Sequence, residues 1–62
     1  MTRCYIVLFL NNNPVHYMWW PTNQTNIEQE WETILDSLDR NVFEFDTLQI
    51  RIGDNILKKS VD

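Results

Sequence analysis

The chain has 62 residues, which is enough for one domain and too few for two. Its 44% hydrophobic and 23% charged residues are typical of a globular protein and exclude an intrinsically disordered chain. A formal net charge of −4 disfavours binding to phosphate backbones and favours basic partner surfaces.

Two apolar segments near the start of the chain have the character of a β-hairpin. Residues 3–10 and 15–20 are rich in β-branched, aromatic and aliphatic side chains, and Asn-Asn-Asn-Pro between them has turn chemistry. With these four residues as the loop, Leu10 lies opposite Val15 and Leu8 lies opposite Tyr17. Pro21 ends the second strand, because proline lacks the N–H that a strand ladder needs.

An amphipathic helix is predicted over residues 26–40. Its apolar residues recur at the 3.6-residue period and form one stripe: Ile27, Trp31, Ile34, Leu35 and Leu38. Thr25 with Glu28, or Asn26 with Gln29, forms a capping box at its start. Asn41 is the expected left-handed residue just past its end.

A second strand pair is predicted after the helix, from residues 42–45 and 48–52 around a turn at Asp46-Thr47. Gly53-Asp54-Asn55 then turns the chain, and residues 56–61 form either an edge strand or a single helical turn. The sequence therefore predicts an α+β fold of ββαββ order, a single domain over residues 1–62. It consists of a small antiparallel sheet with one amphipathic helix packed on one face.

The first hairpin is apolar on both faces, whereas one helix covers only one face of a sheet. We expect the uncovered face to be an interface formed by Tyr5, Val7, Phe9, His16, Met18 and Trp20. The opposite orientation exposes Cys4, Ile6, Leu8, Leu10, Tyr17 and Trp19 instead. In a third arrangement, the C-terminal segment folds over this face through Ile56, Leu57 and Val61.

Four acidic residues line one flank of the predicted helix, at i, i+4, i+8 and i+11: Glu28, Glu32, Asp36 and Asp39. Like charges at this spacing destabilise a helix by about 0.2–0.5 kcal/mol per pair. One interpretation is a negative surface that docks on a basic partner, such as a nucleic-acid-binding protein. The alternative is a solvated face that keeps a small apolar protein in solution.

No residue pattern in the sequence predicts catalysis. His16 lies on a strand without an acidic neighbour, Cys4 lies in an apolar strand, and Gly53 is the only glycine. One cysteine excludes an internal disulfide, and with one histidine it excludes a Cys₂His₂ or Cys₄ zinc site. We therefore expect a protein that is not an enzyme and has no cofactor.

These features together predict a protein–protein interaction module. A small scaffold without a disulfide or metal is usually stabilised by a partner chain, so we expect a homodimer. Its size and acidity are typical of small phage and mobile-element proteins, including stoichiometric inhibitors and adaptors. A structural subunit without a foreign target and a nucleic-acid binder using the aromatic face are the alternatives. With no membrane segment, we expect a cytoplasmic protein.

Overall fold

The computed structural model describes residues 2–23 and 25–61. The element order is β1 (Thr2–Leu10), β2 (Asn13–Thr22), α1 (Ile27–Ser37), β3 (Thr47–Ile52) and β4 (Asn55–Ser60). All neighbouring strands pair antiparallel, in the order β2-β1-β3-β4. The helix packs against β3 and β4, so the predicted ββαββ α+β fold is confirmed.

The first hairpin turns in two residues, and the predicted four-residue loop is wrong. Asn11 and Asn12 both have positive φ, 53° and 68°, which a two-residue hairpin turn of type I′ requires. Leu8 pairs with His16 but Phe9 pairs with Pro14, so Val15 is the extra residue of a β-bulge. The partners on β2 therefore shift by one residue relative to the prediction, and every β2 side chain changes face.

The second strand also extends past the proline that was predicted to end it. Pro21 pairs with Arg3 and Thr22 pairs with Thr2. Because β2 is the edge strand, its outward N–H positions need no ladder partner and proline is tolerated there.

The predicted strand at residues 42–45 is wrong. The N–H groups of Val42 and Phe43 both donate to the Asp39 carbonyl, at 2.9 Å and 2.9 Å, and hold this segment in a turn. Its place beside β3 is taken by β4, which settles the open question about residues 56–61 in favour of a strand. Phe45 nevertheless joins the core, with 3% of its surface exposed.

The predicted start of the helix is confirmed, and the helix ends three residues before the predicted end near Arg40. The Asn26 side-chain oxygen accepts hydrogen bonds from the N–H groups of Glu28 (3.1 Å) and Gln29 (3.3 Å). The helix ends at Ser37, followed by Leu38 in extended geometry. Among the described non-glycine residues only Asn11 and Asn12 have positive φ, so Asn41 is not a left-handed cap.

The core lies between the helix and one face of the sheet. Its buried members are Cys4, Ile6 and Leu8 of β1, Leu48 and Ile50 of β3, Trp31 and Ile34 of α1, and Phe45. The Trp31 indole N–H donates to the buried Leu48 carbonyl at 2.8 Å and thereby joins α1 directly to β3.

Asp46 joins the two hairpins. Its backbone N–H donates to the Phe9 carbonyl (2.9 Å), and its carbonyl accepts from the Val61 N–H (3.0 Å). Its carboxylate accepts from the Asn11 N–H (3.0 Å) and the Thr47 hydroxyl (3.0 Å). These bonds to the charged form, the one from Asn11 first, lower the pKa of Asp46.

Candidate functional site

The sheet has an outer face, on the side away from the helix, which we define by Arg3, Tyr5, Val7 and Phe9 of β1 and the residues that share their side of the other strands. These four positions alternate with the buried Cys4, Ile6 and Leu8. Strand register adds Tyr17 and Trp19 from β2, Arg51 from β3, and Ile56 and Lys58 from β4. Tyr17 is 73% exposed, Ile56 61%, Trp19 51% and Tyr5 40%. Large apolar side chains from β1, β2 and β4 are therefore exposed together on the outer face.

Three cations lie over aromatic rings on the outer face. The Arg3 guanidinium carbon is 4.6 Å from the centre of the Trp19 ring. Arg51 is 4.8 Å from the Tyr5 ring, and the Lys58 ammonium is 4.1 Å from the Phe9 ring. These are three of the five Lys and Arg residues in the chain, and no strand position on this face is Asp or Glu. The outer face is thus locally positive on a protein whose net charge is negative.

The predicted apolar interface is divided between the two faces of the sheet. Tyr5, Val7 and Phe9 lie on the outer face as one set. His16, Met18 and Trp20 lie on the helix-facing side, half-buried, opposite Leu8, Ile6 and Cys4 of β1.

On that side the His16 ring packs edge-on against Phe43, at 5.1 Å between ring centres. Met18 and Trp20 pack against the core. Their predicted outward orientation is therefore wrong, whereas the predicted role of this hairpin as an interface stays a prediction.

Sequence reasoning missed Tyr17, Trp19, Arg51 and Lys58 as members of one surface. The signal for the two β2 residues was the Asn11-Asn12 pair, since Asn tolerates positive φ and two such residues favour a two-residue turn. For Arg51 and Lys58 there was no local signal, because their place depends on the strand order.

The acidic flank lies on the opposite side of the molecule from the outer face. Glu28, Glu32 and Asp36 are exposed on α1. Asp39 lies beyond the end of the helix, where its carboxylate accepts a hydrogen bond from the Asn41 N–H at 2.9 Å. Three of the four predicted residues therefore share one helix, and the fourth stabilises the turn that follows it.

The two remaining cations, Arg40 and Lys59, lie over aromatic rings of the core and not beside the carboxylates of the acidic flank. Arg40 lies 4.5 Å from the Phe45 ring centre, and Lys59 lies 4.4 Å from that of Trp31. The positive outer face and the negative acidic flank are therefore on opposite sides of the sheet.

Cys4 and the acidic residues are the remaining candidates for chemistry in this chain. The Cys4 side chain is fully buried, and burial, with a smaller effect of the Glu30 charge, raises the pKa of its thiol to about 11. Within the described chain, no three His, Cys, Asp or Glu residues are grouped closely enough to hold a metal ion. In residues 2–23 and 25–61, no helix has the length and apolar character to cross a membrane.

The chain was compared with protein-family models, with curated proteins and with solved structures, and none of them matched it.

Proposed function

We propose that this chain is a protein–protein interaction module whose outer face binds an acidic surface of a partner protein. The observation that carries the proposal is the cluster of exposed Tyr17 and Trp19 beside three cations, on a face whose described strand positions include no Asp or Glu. Trp, Tyr and Arg dominate the energetic centres of protein interfaces. Positive charge on the same face steers an acidic partner and disfavours a basic one.

The charge of the outer face favours a foreign partner over a second copy of the chain. In a face-to-face homodimer, Arg3, Arg51 and Lys58 of one copy would approach the same residues of the other. Like charges brought together at an interface cost several kcal/mol. The homodimer expected from a small scaffold without a disulfide or metal, and from its uncovered apolar hairpin face, thus gains no support from the charge of this surface.

Binding of single-stranded nucleic acid is a second candidate, because aromatic rings interleaved with cations also accept stacked bases. Two features make it the weaker one. The rings of Trp19, Tyr5 and Phe9 are already covered by the chain's own cations, which a base would have to displace. Three cations also neutralise few phosphates, and the net charge of −4 opposes the polyanion.

The acidic flank supports the adaptor form of this proposal. Opposite charges on opposite sides allow the chain to contact an acidic partner through the outer face and a basic one through Glu28, Glu32 and Asp36. A stoichiometric inhibitor needs only one such surface. The separation of charge therefore favours an adaptor over an inhibitor.

Two neighbouring lysines provide a matched test. Lys58 lies over Phe9 on the outer face, whereas Lys59 lies over Trp31 on the helix side. Lys58→Glu and Lys59→Glu change the net charge equally but alter opposite faces of the sheet. The ¹⁵N-labelled protein and both variants are titrated with a synthetic peptide of Glu-Glu-Phe repeats and with an oligo-dT of equal charge.

We expect the peptide to shift backbone amide signals on the outer face, and Lys58→Glu to weaken its binding about tenfold, or about 1.4 kcal/mol. Lys59→Glu should leave the affinity within about twofold of wild type. Equal loss in both variants contradicts the proposal. Tighter binding of the oligo-dT supports the nucleic-acid candidate instead, and a dimer by light scattering with the outer-face amides protected supports self-association.

A further inference from the structure

An open cleft of about 430 Å³ lies where the chain leaves β2 and turns toward α1. The described residues that line it are Trp20, Pro21, Thr22, Asn23 and Glu30. Its volume falls within the range of about 300–1,000 Å³ that small-ligand sites occupy. Trp20 and Thr22 lie on the helix-facing side of β2, whereas Pro21, opposite Arg3, lies on the side of the outer face, so the cleft is at the end of the edge strand.

Glu30 is the chemically distinctive residue of the cleft. It is 5% exposed, and the hydroxyl of Thr22, itself 7% exposed, donates a hydrogen bond to its Oε2. The described residues that line the cleft include no Lys or Arg, and the two cations on the helix side lie over Phe45 and Trp31. A buried carboxylate without a cation is costly, since little water solvates it.

Two further features favour a cation over any other ligand at this carboxylate. The Trp20 indole lines the same cleft, and an aromatic ring attracts a cation placed over its face. The nearby N–H groups of Glu28 and Gln29, which would otherwise attract an anion at the helix start, are already bonded to the Asn26 side chain.

We propose that this cleft is a binding site for an alkylammonium or alkylguanidinium group, with Glu30 as the counter-ion and Trp20 as the aromatic wall. The group comes either from a lysine or arginine side chain of a partner protein or from a free small amine. A hydrogen-bonded ion pair of this kind would place a positive charge against the buried carboxylate. Cation binding at this site does not require the partner proposed for the outer face.

The test is an NMR titration of the full chain with three ligands of similar size. They are N-acetyl-lysine amide, n-butylammonium, and N-acetyl-norleucine amide as the uncharged analogue. The readout is the Trp20 indole N–H signal with the Thr22 and Asn23 backbone amides. We expect millimolar binding of a cationic ligand and no saturable shift with the uncharged one, a comparison that wild-type protein alone can decide.

A matched pair of variants tests whether the Glu30 carboxylate is the group that binds the cation. Glu30→Gln keeps the shape and an oxygen that can accept the Thr22 hydroxyl, and we expect it to weaken cation binding at least tenfold. Glu44→Gln makes the same change at an exposed residue outside both the cleft and the acidic flank and should leave the affinity unchanged. Binding of only N-acetyl-lysine amide identifies a partner side chain as the source, and binding of only n-butylammonium identifies a free amine. Equal shifts with the uncharged analogue, no shift with either cation, or wild-type affinity in Glu30→Gln would each overturn the proposal.

Discussion

Replacing Trp31 with phenylalanine tests how the helix is fixed to the sheet. The ring is 3% exposed, and its N–H donates to the Leu48 carbonyl at 2.8 Å. Phenylalanine keeps an aromatic ring but removes this donor, and an unsatisfied buried carbonyl costs about 1–3 kcal/mol. The smaller ring also leaves a cavity that adds roughly 1 kcal/mol. We therefore expect a loss of about 2–4 kcal/mol, against a total of about 3–9 kcal/mol for 62 residues.

Urea unfolding monitored by circular dichroism measures this loss. With a slope of about 1 kcal/mol per molar urea, the midpoint should fall by about 2 M or more while the slope stays the same. Trp19→Phe is the matched control, because Trp19 is 51% exposed on the outer face and should cost less than about 0.5 kcal/mol. Equal midpoints for the two variants would show that Trp31 does not anchor the helix as described.

Three further outcomes follow from individual residues. Cys4 is fully buried and burial raises the pKa of its thiol to about 11, so iodoacetamide at neutral pH should alkylate it only through transiently opened molecules, far more slowly than in urea-unfolded protein; rapid alkylation of the folded protein would contradict this. Hydrogen bonds lower the pKa of Asp46, so its stabilising effect should be present above about pH 4 and lost as the pH falls through the lowered pKa. The difference in urea midpoint between wild type and Asp46→Asn should accordingly shrink below about pH 4, and a constant difference would contradict the assignment. Asn26→Ala should cost about 1 kcal/mol by urea unfolding, since the N–H groups of Glu28 and Gln29 lose their acceptor; no loss would show that the cap is dispensable.

Local sequence patterns predicted the elements whose structure depends on near neighbours. The apolar stripe from Ile27 to Leu38 indicated the helix, and Asn26 indicated its start, because both depend on residues within a few positions. Alternation along β1 likewise placed Tyr5, Val7 and Phe9 on one side of the strand and the set Cys4, Ile6 and Leu8, which the structure buries, on the other.

The register of β2 could not be predicted from the hydrophobic pattern of the sequence, because both faces of this strand are apolar. Hydrophobic alternation fixes the register only where one face is polar, so the sequence did not indicate which face of β2 packs against the core. A two-residue turn at Asn11-Asn12 and a bulge at Val15 then decided which side chains point outward. The prediction at residues 42–45 failed for a related reason: Phe43 and Phe45 alternate as in a strand, but the backbone of this segment bonds to Asp39 in a turn.

The positive character of the outer face could not be predicted from charge counts. Arg3, Arg51 and Lys58 are far apart in the chain and come together because β1 pairs with β3, and β3 with β4. Strand order depends on long-range packing, which no local pattern specifies. The net charge of −4 pointed to the opposite conclusion about the partner.

Site-specific photo-cross-linking in the cells that encode this chain tests the outer face most directly. p-Benzoylphenylalanine is placed at Tyr17, which is 73% exposed on the outer face, or at Glu32 on the acidic flank. We predict that position 17 yields an adduct with an acidic protein, and that this adduct is lost with Lys58→Glu and kept with Lys59→Glu. Adducts from position 32 alone, or adducts at position 17 with a second copy of the chain or with nucleic acid, would contradict the assignment of the outer face to an acidic protein partner.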